Sequence, residues 1–192
     1  MVQDESLNSH WGKRTLMNFQ HATEIVDGKG EGLLVLTDSN KIRQIVIPVD
    51  HKTLDWFRDW KKDDKKQERH LPDILVNVLR KEHVQLEIDI DHISGGIYQA
   101  ILTNSQTLDQ YPININDALI LNRMSNGLIP ILIDSVLFLR QSSPYDESMK
   151  GVSMPINVLS DSMLEKALQE SVEKENYELA AQIQKEIEKR AK

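Results

Sequence analysis

The spacing of apolar residues changes once along this chain, and that change constrains the fold more than any other feature. Between Val84 and Asp91, apolar and polar residues alternate, as in a strand with one buried face. From Ser160 onward, apolar residues recur at the spacing of amphipathic helices. The sequence therefore predicts an α+β fold, with a mainly antiparallel or mixed sheet, a few helices and a C-terminal α-helical hairpin.

Short apolar runs and turn residues predict the remaining elements. Two strands, Gly32–Thr37 and Ile42–Val49, are joined by an Asp-Ser-Asn turn, and Gly95–Gly96 leads the alternating strand into a partner over Ile97–Thr103. Helices are predicted over Lys52–Trp60, after Pro72 with a buried stripe of Ile74, Leu75, Val78 and Leu79, and after Asn116 as N-cap.

Three segments follow from these patterns. Residues 1–141 are predicted to form the α+β domain, with residues 1–14 disordered because they are polar and terminal. Residues 142–159 combine Ser, Pro, Gly and charge, which predicts a linker. Residues 160–192 are predicted to form the helical hairpin, with its turn at Glu175–Asn176.

Composition limits the classes of function. The 192 residues include no cysteine, which excludes disulfides and Cys-ligated zinc and is typical of the cytoplasm. A formal net charge of -7 disfavours phosphate backbones unless a local basic patch compensates. We see neither a signal peptide nor an apolar run of the ~20 residues that a membrane helix needs, so we expect a cytoplasmic protein without membrane contact.

Two segments of the first domain resemble the bifunctional nuclease (BFN) domain family. Gly30–Val49, with L-L-V-L-T-D-S-N before I-V-I-P-V, is similar to the opening of that domain. In Pro112–Ile131, the N-D-A at 116–118 falls on the family's S-D-A. This resemblance, over roughly Thr15 to Arg140, implies an α+β homodimer with DNase and RNase activity. It also implies metal-assisted hydrolysis, for which Mg²⁺ or Mn²⁺ is the candidate ion.

The tail resembles a second family. Leu164–Ile187, with its core Tyr-x-x-Ala-Ala-x-x-x-x-x-Ile, looks like the UVR motif of excision-repair proteins, which also follows some bacterial bifunctional nuclease domains. Two short helices bury little surface alone, so a hairpin of this kind would gain stability from a protein partner. The candidate partner-binding residues are Tyr177, Ala180, Ala181, Ile183 and Ile187.

The sequence departs from the nuclease family at two places. Asp50 stands where the family has glycine, and Thr53–Leu54 stands where it has Glu-Ala. Further on, Pro72 replaces the histidine of the family's P-R-P-L-T-H-D-L-L segment, while Asp73 matches its aspartate and His70 is displaced. Positions where the family resemblance would place an active site are therefore partly eroded.

His70 and Asp73, beside Arg69, form the most enzyme-like group. A histidine and a carboxylate could hold a divalent metal or activate water, with Arg69 on the substrate. Alternatively, Asp73 only occupies the first turn of a helix, where its charge favours the helix dipole. His70, Asp73 and Asp117 are the candidate catalytic residues.

Two further polar groups have both a functional and a structural interpretation. Asn116 and Asp117 at a helix start, with Arg123 two turns later, could contact a phosphate, or they could cap the helix and face solvent. Asp89 and Asp91 alternate onto one face and are weak candidates for a metal site, or they form the polar face of a half-exposed strand.

A basic run follows the helix that carries Trp56 and Trp60. Cations beside aromatic rings are the ingredients of single-strand binding, and Lys62 and Lys65 are the candidate substrate contacts. Interleaved acids favour a solvated surface segment instead. Two functions thus remain: a DNase or RNase, or a non-catalytic dimeric domain that docks a partner protein through its tail.

Overall fold

The computed structural model describes residues 13–25, 31–60, 71–148 and 154–191, with side chains from Ile74 onward in the second helix. Its strands are β1 Arg14–Glu24, β2 Gly32–Asp38, β3 Arg43–Val49, β4 Leu86–Ser94, β5 Ile97–Asn104, β6 Gln110–Ile113, β7 Ile131–Asp134 and β8 Ser143–Pro144. Its helices are α1 His51–Asp59, α2 Leu71–Lys81, α3 Ile115–Met124, α4 Ser135–Gln141, α5 Asp161–Glu173 and α6 Tyr177–Arg190, with a 3-10 turn at Ile156–Val158.

Within the described residues, the strands form one mixed sheet in the order β6-β5-β4-β7-β1-β2-β3-β8. β4 and β7 run parallel, and every other neighbouring pair is antiparallel. β7 therefore joins the hairpin series β4–β6 to the series β1–β3, because it pairs with β1 on one side and β4 on the other. This sheet, the helices beside it and the C-terminal hairpin confirm the predicted α+β fold class.

β2 lies at the centre of the core, and its residues from Gly32 to Thr37 are all buried. A strand that is covered on both faces has no solvent side, so its sequence is a continuous apolar run rather than an alternation. Gly32 lets α1 pack closely on this strand, since a Cβ there would lie 2.6–2.9 Å from the fully buried side chain of Leu54. None of the described helices is long and apolar enough to cross a membrane.

α2 is less buried than its apolar stripe predicts. Val76 is buried, but Ile74, Leu75 and Val78 are 46%, 50% and 49% exposed. The helix therefore turns only part of its apolar surface toward the domain, and these three residues form an exposed patch, called here the α2 face. An exposed cluster of this kind is typical of a contact with another molecule.

Both ends of the predicted linker at 142–159 are built into the domain. Ser143–Pro144 forms edge strand β8 against β3, and Arg43 donates to both the hydroxyl and the carbonyl of Ser142 at 2.7 Å. Val158 is 2% exposed and belongs to the hydrophobic core. At the other terminus, Arg14, the last residue of the segment predicted to be disordered, is the first residue of β1.

α5 and α6 form the C-terminal helical hairpin, and the turn between them includes Glu175 and Asn176. Asn176 caps α6, its side chain accepting from the backbone N–H of Leu179 at 3.2 Å, and Glu175 adopts a left-handed conformation in the turn. Leu164 of α5 and Ile183 of α6 are buried at 0% and 1% exposure. The two helices therefore bury their apolar faces against each other.

Arg190 in the last turn of α6 anchors the hairpin to the rest of the protein. Its guanidinium donates to the carbonyls of Leu159 and Asn157 at 2.7 and 3.0 Å, and it pairs with Glu186 at 3.0 Å. The β4–β5 turn makes room for it at Gly96, where an added Cβ would lie 3.0 Å from both terminal nitrogens of the guanidinium. The end of α6 is thus fitted between the 3-10 turn and the sheet.

Candidate functional site

α3 positions three of the predicted site residues, although its cap differs from the prediction. The predicted N-cap, Asn116, is the second residue of the helix, and Asn114 is the cap that accepts from the Asn116 N–H at 2.8 Å. Both positions are asparagine, so composition alone does not separate them. Because Asn114 serves as the cap, the side chain of Asn116 is available for another contact.

That contact joins the starts of α1 and α3. Asn116 Nδ2 donates to Asp50 Oδ2 at 3.0 Å, while Asp50 Oδ1 accepts from the Thr53 N–H at 2.8 Å and caps α1. Asp50 and Thr53, two of the residues at which the sequence departs from the pattern of the nuclease family, therefore form a helix cap here. Asn116 Oδ1 is buried and has no hydrogen-bond partner among the described residues.

A cleft of about 390 Å³ opens beside these two helix starts. The exposed carboxylate of Asp117 stands at its edge, and Trp56 and Ile120 supply its apolar wall. Asp117 accepts no hydrogen bond from any described residue, in contrast to Asp50. The cleft therefore combines one free carboxylate, the amides of Asn114 and Asn116, the ammonium of Lys52 and one aromatic ring.

Arg123 lies at the other end of α3, above an aromatic ring. Its guanidinium carbon is 5.2 Å from the centroid of Phe19 on β1, a distance at which a cation is attracted to a ring face. A second cavity of about 270 Å³ adjoins it, lined by Leu16–Phe19, Asn122, Arg123, Asn126, Gly127 and Pro130. Phe19 was not predicted to belong to the site, because the sequence does not show which strand lies beside the third helix.

A row of aromatic rings connects the two cavities. Neighbouring centroids are 5.0 Å apart from Phe19 to Phe57, 5.0 Å from Phe57 to Trp56 and 4.7 Å from Trp56 to Trp60. Phe57 is buried, while Trp56 and Trp60 keep part of their surface at solvent. We call the surface formed by this row and the facing side of α3 the α1–α3 face.

The alternation predicts that Asp89 and Asp91 lie together on one face of the strand, but in the structure they do not. A β-bulge interrupts β4 between Ile90 and His92, and Asp89 is 9% exposed whereas Asp91 is exposed. Asp89 accepts from Arg14 Nη1 at 2.6 Å and from the Thr103 hydroxyl at 2.8 Å, so both of its oxygens have partners. Its position is that of a structural carboxylate.

Arg14 completes this group by bridging two carboxylates. It donates to Glu87 at 2.7 Å as well as to Asp89. Burial acts to lower the pKa of Arg14, but the hydrogen bonds and charges of Glu87 and Asp89 outweigh it, and the pKa is raised. The group thus ties the start of β1 to β4 across the intervening strand β7.

The described donor groups do not make up a metal site. Among those residues, no three His, Asp or Glu side chains gather closely enough to hold an ion. In the cleft, Asp50 already uses both oxygens, which leaves Asp117 alone. The predicted residues Lys62, Lys65, Arg69 and His70 lie outside the described residues, and the side chain of Asp73 is not described.

The five predicted partner-binding residues divide into two groups. Ala180 and Ile183 are buried at 8% and 1% exposure, where α6 packs on α5, and Ile187 is half-buried. Ala181 and Tyr177 are exposed, the latter by 66%. Two apolar residues that were not predicted, Val172 and Leu179, lie near Tyr177 in sequence at the hairpin turn and are 50% and 37% exposed.

No family model matches the chain, and no curated protein matches it. The resemblances to bifunctional nucleases and to the UVR motif therefore stay predictions, and function must be inferred from the α1–α3 face and the hairpin.

Proposed function

We propose that this chain binds single-stranded nucleic acid across the α1–α3 face and hydrolyses its phosphodiester backbone. One observation carries the proposal: α3 places Asn116 and Arg123 on the side that faces the aromatic row. Seven residues of helix separate them, which corresponds to about 10 Å along the axis. The face thus has a polar end beside Asp117 and a cationic end beside Phe19, with aromatic rings between them.

Binding would use the rings and the nearby cations. Bases of any sequence can stack on aromatic side chains, each for roughly 1–3 kcal/mol. Trp56 and Trp60 are partly exposed for such stacking. In the sequence they are followed by Lys61, Lys62, Lys65, Lys66 and Arg69, interleaved with Asp63, Asp64 and Glu68, which gives a local excess of two positive charges. That local excess attracts a phosphate backbone, which the net charge of -7 repels.

Hydrolysis would use Asp117. In this reaction the oxygen of a water attacks phosphorus, the bond to the leaving sugar oxygen breaks, and that oxygen takes up a proton. A positioned carboxylate that accepts the water's proton typically contributes about 10²–10⁴-fold to the rate. Asp117 is the carboxylate of the cleft without a hydrogen-bond partner among the described residues, and it lies next to the amide of Asn116.

The test compares cleavage of end-labelled single-stranded DNA and RNA by the wild type, Asp117→Asn and Glu178→Gln. Glu178 is an exposed carboxylate in the first turn of α6, as Asp117 is in the first turn of α3, and serves as the matched control. We expect cleavage by the wild type, a loss of at least about 100-fold in Asp117→Asn, and no change in Glu178→Gln. Intact strands with the wild type, in buffers with and without Mg²⁺ or Mn²⁺, would contradict the catalytic step and leave binding to be judged by titration.

A second candidate function is favoured by the hairpin turn. Val172, Tyr177 and Leu179 expose apolar surface there, in a hairpin whose interior is already filled by Leu164 and Ile183. We propose that this end docks a partner protein. A photo-crosslinker placed at Tyr177 should then give one discrete protein adduct in cells, and Leu179→Asp should abolish it. An adduct that persists in Leu179→Asp would contradict docking at this end.

A further inference from the structure

The cavity beside Arg123 has hydrogen-bonding groups that the fold does not use. Arg123 and Asn126 line the cavity, and within the described residues no ion pair or hydrogen bond occupies the guanidinium of Arg123 or the side-chain amide of Asn126. Asn122 uses its Nδ2 on the carbonyl of Ile129 at 2.7 Å, which leaves its oxygen free to accept. The cavity thus offers a planar cation and several amide donors and acceptors.

The electrostatic setting favours a neutral ligand over an anion. The cavity lies at the C-terminal end of α3, where the helix dipole is negative and repels anions. Arg123 in the last turn offsets that dipole. A ligand that presents both donors and acceptors on a flat, uncharged ring suits these groups better than a phosphate does.

We propose that this cavity is a nucleobase subsite for one unpaired base of the strand, which rests on the proposed function of the α1–α3 face. The base stacks on the guanidinium of Arg123, whose other side lies over the ring of Phe19. Arginine planes stack bases of splayed single strands in this way. The amide of Asn126 and the free side-chain oxygen of Asn122 meet the edge of the base, because amides carry the donors and acceptors that base edges pair with.

The test measures the affinity of the full chain for a short single-stranded oligonucleotide and for the same strand with abasic sites. Arg123→Lys keeps the positive charge but removes the planar group, so it separates stacking from phosphate attraction. Arg58→Lys is the matched control, since Arg58 is exposed and pairs with Glu24 at 3.1 Å. Asn126→Gly is the second variant, because glycine keeps the left-handed backbone conformation of this position (φ 56°) and removes the amide.

We expect Arg123→Lys to weaken binding of the intact strand about tenfold, the loss that corresponds to one stacked base. Asn126→Gly should weaken it several-fold and Arg58→Lys should not change it. Neither Arg123→Lys nor Asn126→Gly should change the affinity for the abasic strand, which the wild type should bind more weakly. Equal losses on intact and abasic strands, or no loss in Arg123→Lys, would overturn the base subsite while strand binding stands. No binding of either strand by the wild type would overturn the subsite and the proposed binding together.

Discussion

Replacing Arg190 with alanine should detach the end of α6 from the domain. The side chain is 11% exposed and donates to two backbone carbonyls and to Glu186, whose own side chain is 13% exposed. Hydrogen bonds to a charged group contribute roughly 1.5–3 kcal/mol each, and a buried carboxylate that loses its partner adds to the cost. The contact with Asp161 adds little, because that side chain is 83% exposed.

We therefore expect Arg190→Ala to lower the free energy of unfolding by about 3 kcal/mol. For a chain of this size, that corresponds to a fall in the midpoint of thermal unfolding of roughly 6–12 °C. The midpoint is measured from the loss of the helical circular dichroism signal on heating. The matched control is Lys189→Ala, because Lys189 lies in the same turn but is 72% exposed and pairs with Glu186 only at 3.4 Å. If both variants melt at the same temperature, the anchoring role of Arg190 is refuted.

Three further predictions concern the hairpin, the core and the assembly. Ala180→Leu should cost roughly 1–3 kcal/mol by overpacking the contact between α5 and α6, whereas Ala181→Leu, at an exposed position, should stay within about 0.5 kcal/mol in urea unfolding. Burial raises the pKa of Tyr98, so stability should fall as pH rises above about 10, where the unfolded chain loses the proton and the folded chain keeps it. The Tyr98 hydroxyl is buried without a partner among the described residues, so Tyr98→Phe should fold normally and lose less stability than the wild type above a pH of about 10. If the free energy of unfolding falls equally with pH in both proteins, this prediction is wrong. The exposed α2 face should support a homodimer, and light scattering should show it at concentrations of about tens of micromolar, where a monomer would count against it.

Local patterns in the sequence predicted much of the fold. The alternation after Val84 and the double glycine at Gly95–Gly96 predicted the β4–β5 hairpin, and the helical spacing after Ser160 predicted both tail helices. These features depend on neighbours along the chain, which a single sequence displays. The parallel pairing of β4 with β7 was not predicted, because it joins segments far apart in sequence.

The sequence predicted only those relations within the candidate site that join residues of the same helix. Asn116 and Arg123 share α3, about two turns apart, as their spacing in the sequence predicted. Phe19 and Asp50 come from β1 and the start of α1, and their contacts with Arg123 and Asn116 depend on tertiary packing. The burial of Asp89 was missed for the same reason, since the partners that cover its carboxylate belong to β1 and β5.

The α1–α3 face is tested most directly by titrating tryptophan fluorescence with a single-stranded oligonucleotide of roughly ten nucleotides. Trp56 and Trp60 lie on the face, so their emission should change on binding. We predict a saturable change in the wild type, weaker at higher salt because phosphate contacts release counterions, and an affinity lower by more than about tenfold in Arg123→Glu. An unchanged emission spectrum, or equal affinities for the wild type and Arg123→Glu, would contradict the proposal that this face binds nucleic acid.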